Sequence, residues 1–458
     1  MNQQPQNSDL STGSAMNATP FEVLDLTLHF DDQGQHQWWK RAGPVLGQQL
    51  LLANYDLNKQ FQYLSFFAHQ IIPLLGPAPA SWESEHQPEY HPLEISHNFQ
   101  RSGSTIRLAF QPKSYSSFVR AQDPFGQLST EETLARLGQV TGVELDLQPY
   151  YQLASLLNLT KKEEKDMFQP TCYNSLSPCF KTQSLIGVQF PRTGSITLKG
   201  YWFLSAKSMV TITPVSELSF QAIRKIDDGK DLLVPALRPI EEYFAEIKMQ
   251  PAHPATPQIT EFGAVACDHV DMSRTRFKLY FYECLCKYDR VVDIYTLGGR
   301  LKNAPGIVEG LELLREIWSI LQIPEGYHHA SLRNSLLRKS ENSENCGEAG
   351  KAVSGGREIF DDQQLIFNFE IRPGEQWPQP KVYFPLSYLT DSKAADAVVA
   401  LFNKLGWKEE ARRYKDNLKT FYPRSDLEKT SGLQHLLSFS YNAKTGPYTT
   451  VYYWQIGI

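Results

Sequence analysis

A short run near the middle of the chain places two cationic side chains and a phenol together. In the segment Arg276-Phe277-Lys278-Leu279-Tyr280, the two-residue period of a strand puts Arg276, Lys278 and Tyr280 on one face. A half-buried strand whose charges point into water would show the same alternation. The segment alone therefore fits two structures: a solvated strand, or one wall of a site for an anion.

The same spacing of a lysine and a tyrosine recurs far away in the sequence. The two further pairs are Lys199 with Tyr201 and Lys381 with Tyr383, and Tyr448 and Tyr452 share a face of a predicted strand near the carboxyl end. Several strands that each present such side chains would line one cavity if the sheet closed into a barrel. We expect that cavity to bind an anionic, partly apolar ligand.

Composition narrows the class of protein. The chain has 458 residues, a formal net charge of -5 and six cysteines. The acidic balance argues against a broad basic surface for nucleic acid, and no apolar run reaches the roughly 18 to 20 residues of a membrane span. Six cysteines are too few for a disulfide scaffold in a chain of this length. We expect a cytoplasmic protein with neither nucleic acid nor membrane as a partner.

The predicted elements alternate helices with pairs of strands. Helices are predicted at 57–75, within 130–168, as two helices within 215–247, at 307–321 and after Asp391. Strands are predicted as short runs within 92–111, as the pairs 184–190 with 195–204, 261–268 with 274–284 and 435–442 with 447–454, and near 326–338, 364–371 and 381–385. Strands inside and helices outside give the simplest closure, so the predicted fold class is α+β: a closed antiparallel β-barrel ringed by α-helices, with its site in the lumen. Residues 1–20 are predicted to form a disordered tail and residues 21–458 a single barrel domain.

A closed barrel would gather the cationic residues into one group. The predicted diphosphate-binding residues are Arg107, Lys199, Arg276, Lys278 and Lys381, with Tyr201, Tyr280, Tyr383, Tyr448 and Tyr452. A diphosphate in a dehydrated cavity needs several directed donors, which guanidinium, ammonium and phenol groups supply. The aromatic faces would also stabilise a cation, by roughly 0.5 to 2 kcal/mol per contact.

On these residues the chain resembles the fungal aromatic prenyltransferases of the dimethylallyltryptophan synthase family. The matching motifs, in chain order, are His91-Pro92-Leu93-Glu94-Ile95-Ser96, Leu198-Lys199-Gly200-Tyr201, Ser273-Arg274-Thr275-Arg276-Phe277-Lys278-Leu279-Tyr280, Pro380-Lys381-Val382-Tyr383 and Pro447-Tyr448-Thr449-Thr450-Val451-Tyr452. The resemblance covers nearly the whole chain. It implies a catalytic role for Glu94, which would accept a hydrogen bond from an indole N–H; without it, Glu94 would be interpreted as a surface glutamate at a strand start.

The resemblance also implies a reaction. Dimethylallyl diphosphate would ionise, an indole ring would attack the allylic cation, and loss of a proton would restore aromaticity. No cofactor or metal is implied, because the positive side chains would replace magnesium. Ser184 stands where tryptophan-4-prenylating members carry a lysine, which favours a tryptophan-containing cyclic dipeptide or an indole alkaloid precursor as the acceptor. The alternatives are free tryptophan, a phenolic or xanthone acceptor, and a noncatalytic barrel that carries an aromatic or isoprenoid ligand; a homodimer is left open.

The sequence contains residues for two possible metal sites, one for magnesium and one for zinc. Asp227-Asp228-Gly229-Lys230-Asp231 matches the DDxxD pattern of magnesium-dependent prenyltransferases, but Gly229 interrupts the helical pattern, so we expect Asp231 to cap the next helix. Cys267-Asp268-His269 and Cys284-Leu285-Cys286 have poor spacing for zinc. The sequence therefore predicts no metal site.

Overall fold

Strand pairing closes the main sheet on itself. The computed structural model describes residues 18–76, 92–113, 123–167, 183–249, 260–328, 352–354, 357–360 and 364–454. Its strands are β1 (Leu93–Gln100), β2 (Gly103–Phe110), β3 (Val143–Glu144), β4 (Ser184–Phe190), β5 (Ile196–Phe203), β6 (Thr260–Asp268), β7 (Phe277–Glu283), β8 (Leu285–Cys286), β9 (Gly326–His328), β10 (Ala352–Ser354), β11 (Arg357–Phe360), β12 (Leu365–Ile371), β13 (Gln379–Pro385), β14 (Gln434–Asn442) and β15 (Gly446–Trp454).

Ten of these described strands form the ring. They follow the order β5-β4-β2-β1-β15-β14-β13-β12-β7-β6, and β6 pairs again with β5. Every pairing in the ring is antiparallel. The short β3 joins β5 in parallel beside the ring, and β8 to β11 make a separate small sheet. The predicted closed antiparallel barrel is confirmed.

Helices separate the strand pairs along the chain. Those described are Pro20–Thr27, Gln33–Leu52, Leu57–Phe66, Gln127–Leu137, Gln148–Leu157, Lys161–Met167, Ser205–Thr211, Val215–Asp227, Val234–Met249, Tyr288–Tyr295, Ile307–Leu321, Asp391–Lys404 and Lys408–Phe421. Asp56 caps its helix as predicted, because its side chain accepts a hydrogen bond from the Lys59 amide. That helix continues through a π turn and a 3₁₀ turn to Leu74, so its predicted end near Pro73 is confirmed.

The apolar core lies between the barrel and its helices. Phe277, Leu279 and Phe281 of β7 all face outward and are fully buried, and the Phe281 ring stacks on Phe367 and Phe369 at centroid distances of 5.6 and 5.5 Å. Since side chains alternate across a strand, the residues between them face the lumen. The helices thus cover the apolar face of each strand, and the polar face is left to the interior.

Some predictions fall outside the described residues. These are His91 of the first motif, Cys172, Cys179, Cys346, almost all of the tail at 1–20 and most of the loop at 339–358; of the strand predicted at 326–338, only β9 is described. The single domain at 21–458 stays a prediction. Among the described helices, none has both the length and the apolar character needed to cross a membrane.

Candidate active site

The barrel brings the predicted cations to one region of the lumen. Strand register sets Lys199 of β5 opposite Asp268 of β6, and Lys278 of β7 opposite Glu370 of β12. Lys381 of β13 lies opposite Asn368, two residues from Glu370 on the same face. Arg276 precedes β7 and Arg107 comes from β2, so the five cations reach the site from separate parts of the chain.

Two carboxylates pair with several of these cations. Arg276 Nε donates a hydrogen bond to one carboxylate oxygen of Asp268, and the other oxygen lies 3.5 Å from Lys199 Nζ. Glu370 Oε2 lies 3.5 Å from Lys278 Nζ and 3.6 Å from an Arg276 terminal nitrogen. Arg276 therefore bridges the two carboxylates, which offset part of the positive charge but not all of it.

The protonation of these groups shows how charged the site is. Burial alone would raise the pKa of Asp268 and of Glu370, but the neighbouring cations outweigh it and hold both pKa values well below their usual range. Burial, reinforced by the other cations, lowers the pKa of Lys199 well below that of a free lysine and that of Lys381 to about 8. The carboxylates stay ionised, and the buried cations repel one another. A bound anion would offset this repulsion.

Arg107 and Tyr448 complete the cationic region. The buried Nε of Arg107 has no hydrogen-bond partner among the described residues, which leaves one donor for a ligand. The Arg107 guanidinium carbon lies 5.6 Å from the Tyr448 ring centre, and Lys381 Nζ lies 4.3 Å from it. Burial would raise the pKa of Tyr448, but Arg107 and Lys381 outweigh it and lower the pKa to about 8.

Four other tyrosines form an arc along the inner wall. Tyr201 lies 6.0 Å from Tyr280 between ring centres, Tyr280 lies 6.2 Å from Tyr383, and Tyr383 lies 5.8 Å from Tyr452. Asn368 donates a 2.7 Å hydrogen bond to the Tyr383 hydroxyl. Burial raises the pKa of Tyr201 to about 12 and raises that of the others, so the arc is uncharged phenol. Neutral rings of this kind can face a carbocation.

The tyrosine arc borders open space rather than filling the barrel. Tyr201, Tyr280 and Tyr452 lie on the inner wall, yet each keeps an intermediate exposure. The outward-facing residues of the same strands, such as Leu279 and Val451, are fully buried. The lumen is therefore hollow next to the arc, which a bound molecule requires.

Glu94 faces the lumen from β1, as predicted. The register of β1 sets it opposite Trp454, two residues from Tyr452 on the inner face of β15. Its side chain is 27% exposed, and one carboxylate oxygen lies 3.3 Å from His435 Nε2. All predicted site residues thus lie on the inner wall, and the sequence interpretation missed His435, Asp268 and Glu370. Alternation of β12 around Asn368 and Glu370 was the only available signal for the last.

Ser184, which carried the prediction about the acceptor, points away from the lumen. Its hydroxyl lies 2.5 Å from that of Thr130 on the outer helix Gln127–Leu137, and it shares its face with the buried Ile186. Ser184 therefore cannot contact an acceptor in the lumen, and its identity gives no support to the predicted acceptor. The nearest lumen-facing residues of β4 are Leu185, opposite Tyr201, and Gly187, opposite Lys199.

The structure shows how residues of the two candidate metal sites are arranged. The helix Val215–Asp227 ends at Asp227, whose Oδ1 accepts hydrogen bonds of 2.9 and 2.8 Å from the Leu232 and Leu233 amides. The expectation for Asp231 was wrong, since Asp227 caps the turn and Asp231 adopts a positive φ. Cys267 Sγ lies 3.6 Å from His269 Nδ1 on the outer side of the barrel. Among the described residues, no cluster of three metal-ligating side chains is found.

Comparison with known proteins gives consistent matches over most of the chain. The family model described as tryptophan dimethylallyltransferase matches residues 34–417. Verruculogen prenyltransferase of Neosartorya fischeri is 81% identical over 453 residues, which cover 99% of both chains. Prenyltransferase ucdE of Aspergillus ustus is 58% identical over 457 residues and the full length of both.

Solved structures share the architecture. The crystal structure of NotF in complex with brevianamide F and DMSPP has a TM-score of 0.77 at 31% identity, and the match covers 96% of this chain and 99% of NotF. AnaPT from Neosartorya fischeri has a TM-score of 0.78 at 26% identity, with 96% and 98% of the two chains covered.

Proposed function

The chain belongs to the tryptophan dimethylallyltransferase family and is a prenyltransferase; from this premise we propose that the cationic region binds the diphosphate of dimethylallyl diphosphate and that Glu94 serves the acceptor. The observation that carries the proposal is the single lumen lined by five cations, by an arc of neutral tyrosines and by one half-buried carboxylate. Each part suits one stage of prenyl transfer.

The cationic region supplies what the leaving diphosphate needs. Arg107, Arg276, Lys278, Lys199 and Lys381 are the proposed diphosphate ligands, with the Tyr448 hydroxyl. As the carbon–oxygen bond of the donor breaks, negative charge grows on the diphosphate oxygens, and fixed positive groups stabilise that charge most strongly in a water-poor site. Two ionised carboxylates are already present, so the excess of positive charge is limited and suits a multivalent anion.

The tyrosine arc would hold the allylic cation while it is free. Tyr201, Tyr280, Tyr383 and Tyr452 present neutral aromatic faces along the wall, and their quadrupoles attract a cation. Their bulk also keeps water from the cation, which would otherwise be captured as dimethylallyl alcohol. The allylic cation can therefore form and react with the acceptor without first reacting with water.

Glu94 would act on the acceptor. A nucleophilic indole ring attacks the allylic cation, a carbon–carbon bond forms, and the ring becomes positively charged until it loses a proton. The Glu94 carboxylate, open to the lumen, would accept a hydrogen bond from an N–H or O–H group of the acceptor and stabilise this positive charge. The proton leaves to a base in the site, and aromaticity returns.

For the acceptor we propose verruculogen, because the relative at 81% identity is a verruculogen prenyltransferase. The comparisons with an echinulin prenyltransferase and with NotF support indole-containing acceptors more generally. Free tryptophan and a xanthone remain the alternative acceptors.

One incubation series tests the proposal. The protein is given dimethylallyl diphosphate with verruculogen, brevianamide F, tryptophan or a xanthone, in EDTA and separately with added magnesium. We expect a prenylated product from verruculogen in EDTA at the same rate as with magnesium, and mass spectrometry and NMR locate the new bond. Absence of any prenylated product with every acceptor would overturn the proposed combination of donor and acceptors.

The role of Glu94 has its own test. Glu94→Gln keeps the size of the side chain and removes its charge, so turnover should fall by at least about 100-fold. Binding of an unreactive thiolodiphosphate analogue of the donor should be unchanged, because Glu94 is not among the proposed diphosphate ligands. Normal product formation by this variant would remove Glu94 from the mechanism.

A further inference from the structure

His435 enters the lumen because β14 contains a bulge. The pairing of β14 with β15 shifts between Gln434 and Leu436: Gln434 lies opposite Tyr453, and Leu436 lies opposite Tyr452. Without this extra residue, position 435 would share the outward face of Leu437 and Phe439. Bulges redirect a side chain in this way. The alternation of side chains along the sequence of β14 does not indicate this orientation.

The bulge is fixed from the helix side of the barrel. The Gln434 amide donates a 3.0 Å hydrogen bond to Asp391 Oδ1, and its side-chain Nε2 donates one of 2.8 Å to the Asp391 carbonyl. The Tyr414 hydroxyl donates to Gln434 Oε1 at 2.7 Å. The Leu386 amide holds the carbonyl of His435 itself at 2.8 Å. The backbone under His435 is therefore tied on both sides.

The imidazole is equally restricted. It is 3% exposed and stacks on Trp454 with ring centres 4.2 Å apart and an angle of 21°. Nε2 lies 3.3 Å from Glu94 Oε2, close enough for a ring N–H to donate to the carboxylate. Nδ1 is buried and has no hydrogen-bond partner among the described residues, so the polar contact of the ring with Glu94 is made through Nε2.

We propose that His435 is a positioning residue that acts through Glu94. This inference rests on the proposed role of Glu94. The Nε2–H group donates to one carboxylate oxygen and fixes the side chain, so that the other oxygen is presented to the acceptor. Without that bond, a glutamate at the edge of a hollow lumen would rotate among several conformers and lose alignment. His435 itself takes no proton in the reaction.

Two replacements separate the hydrogen bond from ring packing. His435→Gln keeps an amide N–H at about the reach of Nε2, whereas His435→Phe keeps an aromatic ring for Trp454 and has no donor. We expect His435→Phe to lower kcat/KM for verruculogen roughly 10- to 100-fold, the effect of one hydrogen bond to a charged group, and His435→Gln to recover most of it. The KM for dimethylallyl diphosphate should be unchanged in both. His69→Phe, at an exposed histidine, is the control.

A double-mutant cycle tests whether the effect passes through Glu94. The dissociation constant of verruculogen is measured on the complex with the thiolodiphosphate analogue, which needs no turnover. His435→Phe should weaken verruculogen binding when it is introduced into the wild-type protein, and should cause no further loss when it is introduced into the Glu94→Gln variant. Full additivity, or equal losses for the Phe and Gln variants, would overturn the positioning role.

The same variants keep the two proposals apart. If Glu94→Gln is inactive while His435→Phe is fully active, the inference on His435 fails and the proposed function stands. If Glu94→Gln is as active as the wild type, the proposed role of Glu94 fails first. Thermal unfolding of each variant confirms that the comparison is made on folded protein.

Discussion

The ammonium group of Lys381 lies 4.3 Å from the centre of the Tyr448 ring, inside the lumen and among other cations. Burial lowers the pKa of Lys381 to about 8, and repulsion from Lys278 and Arg107 adds to the effect. The pKa of Tyr448 also falls to about 8, because the cations outweigh its burial. The pair therefore changes charge near pH 8, at the point where the diphosphate is proposed to bind.

The first prediction concerns pH and the donor. As pH rises through about 8, Lys381 loses its positive charge and Tyr448 gains a negative one, and both changes oppose binding of a diphosphate. The KM for dimethylallyl diphosphate should be nearly flat from pH 7 to about 8 and should then rise roughly tenfold per pH unit for each of the two groups, or up to about 100-fold per unit with both. Steady-state kinetics with saturating acceptor across this range measure it.

The matched variant is Lys381→Arg, since a guanidinium stays charged throughout the range. Its KM should rise less steeply, and the remaining rise should disappear when Tyr448→Phe is added. Parallel profiles for the wild type and Lys381→Arg would show that Lys381 does not control donor binding.

Alternation along single strands was enough to predict much of the site. It placed Lys278 and Tyr280 on one face, and the barrel confirmed this because Phe277, Leu279 and Phe281 on the other face of β7 are buried against the helices. Parity could not be assigned for Ser184, since both faces of β4 carry small or apolar residues. The inward orientation of His435 could not be predicted from the sequence, because it depends on a bulge that Asp391, a residue distant in sequence, holds in place.

The carboxylates illustrate a second limit of the sequence. In the sequence, Asp268 is identified only as part of a possible zinc site, between Cys267 and His269. Its role became visible when β6 paired with β5 and set it opposite Lys199. A counter-ion is defined by cations on other strands, so no local pattern identifies it. The same holds for Glu370.

The second prediction is that Glu370 weakens diphosphate binding. Its ionised carboxylate lies 3.5 Å from Lys278 and 3.6 Å from Arg276, and would repel an incoming anion while it holds these cations in place. Glu370→Gln removes the charge and keeps the shape. Inorganic diphosphate should then inhibit roughly tenfold more strongly, by the Coulomb energy of one charge at a partly screened site.

Product inhibition kinetics measure this effect, with Glu375→Gln as the control, since Glu375 is exposed on the following turn. The sign of the change separates two roles. Weaker inhibition in Glu370→Gln would mean that the carboxylate mainly positions Lys278 and Arg276, and that its repulsion is the smaller effect.

The third prediction concerns the tyrosine arc. Tyr280 stands between Tyr201 and Tyr383, with ring centres 6.0 and 6.2 Å away. Tyr280→Phe keeps the aromatic face and should change turnover little. Tyr280→Leu removes it and should slow prenyl transfer roughly 2- to 30-fold, the range of one cation–π contact.

The by-product provides a second measurement for the same pair of variants. Because the arc also excludes water, Tyr280→Leu should release more dimethylallyl alcohol per prenylated product, which gas chromatography quantifies. An unchanged ratio of alcohol to product would indicate that other residues shield the cation.

The fourth prediction compares two neighbours on opposite faces of β4. A Cβ at Gly187 would come within 3.1 Å of the Tyr201 ring and 3.4 Å of Lys199 Cβ, so Gly187→Ala must displace part of the inner wall. We expect kcat/KM for the donor to fall roughly 10- to 100-fold, with little loss of stability.

Val188 is buried against the helices, so Val188→Ala should cost roughly 1 to 3 kcal/mol in the free energy of unfolding and leave the donor KM unchanged. Chemical denaturation and steady-state kinetics on both variants decide the matter: the inner wall is as assigned only if the kinetic loss belongs to Gly187→Ala and the stability loss to Val188→Ala.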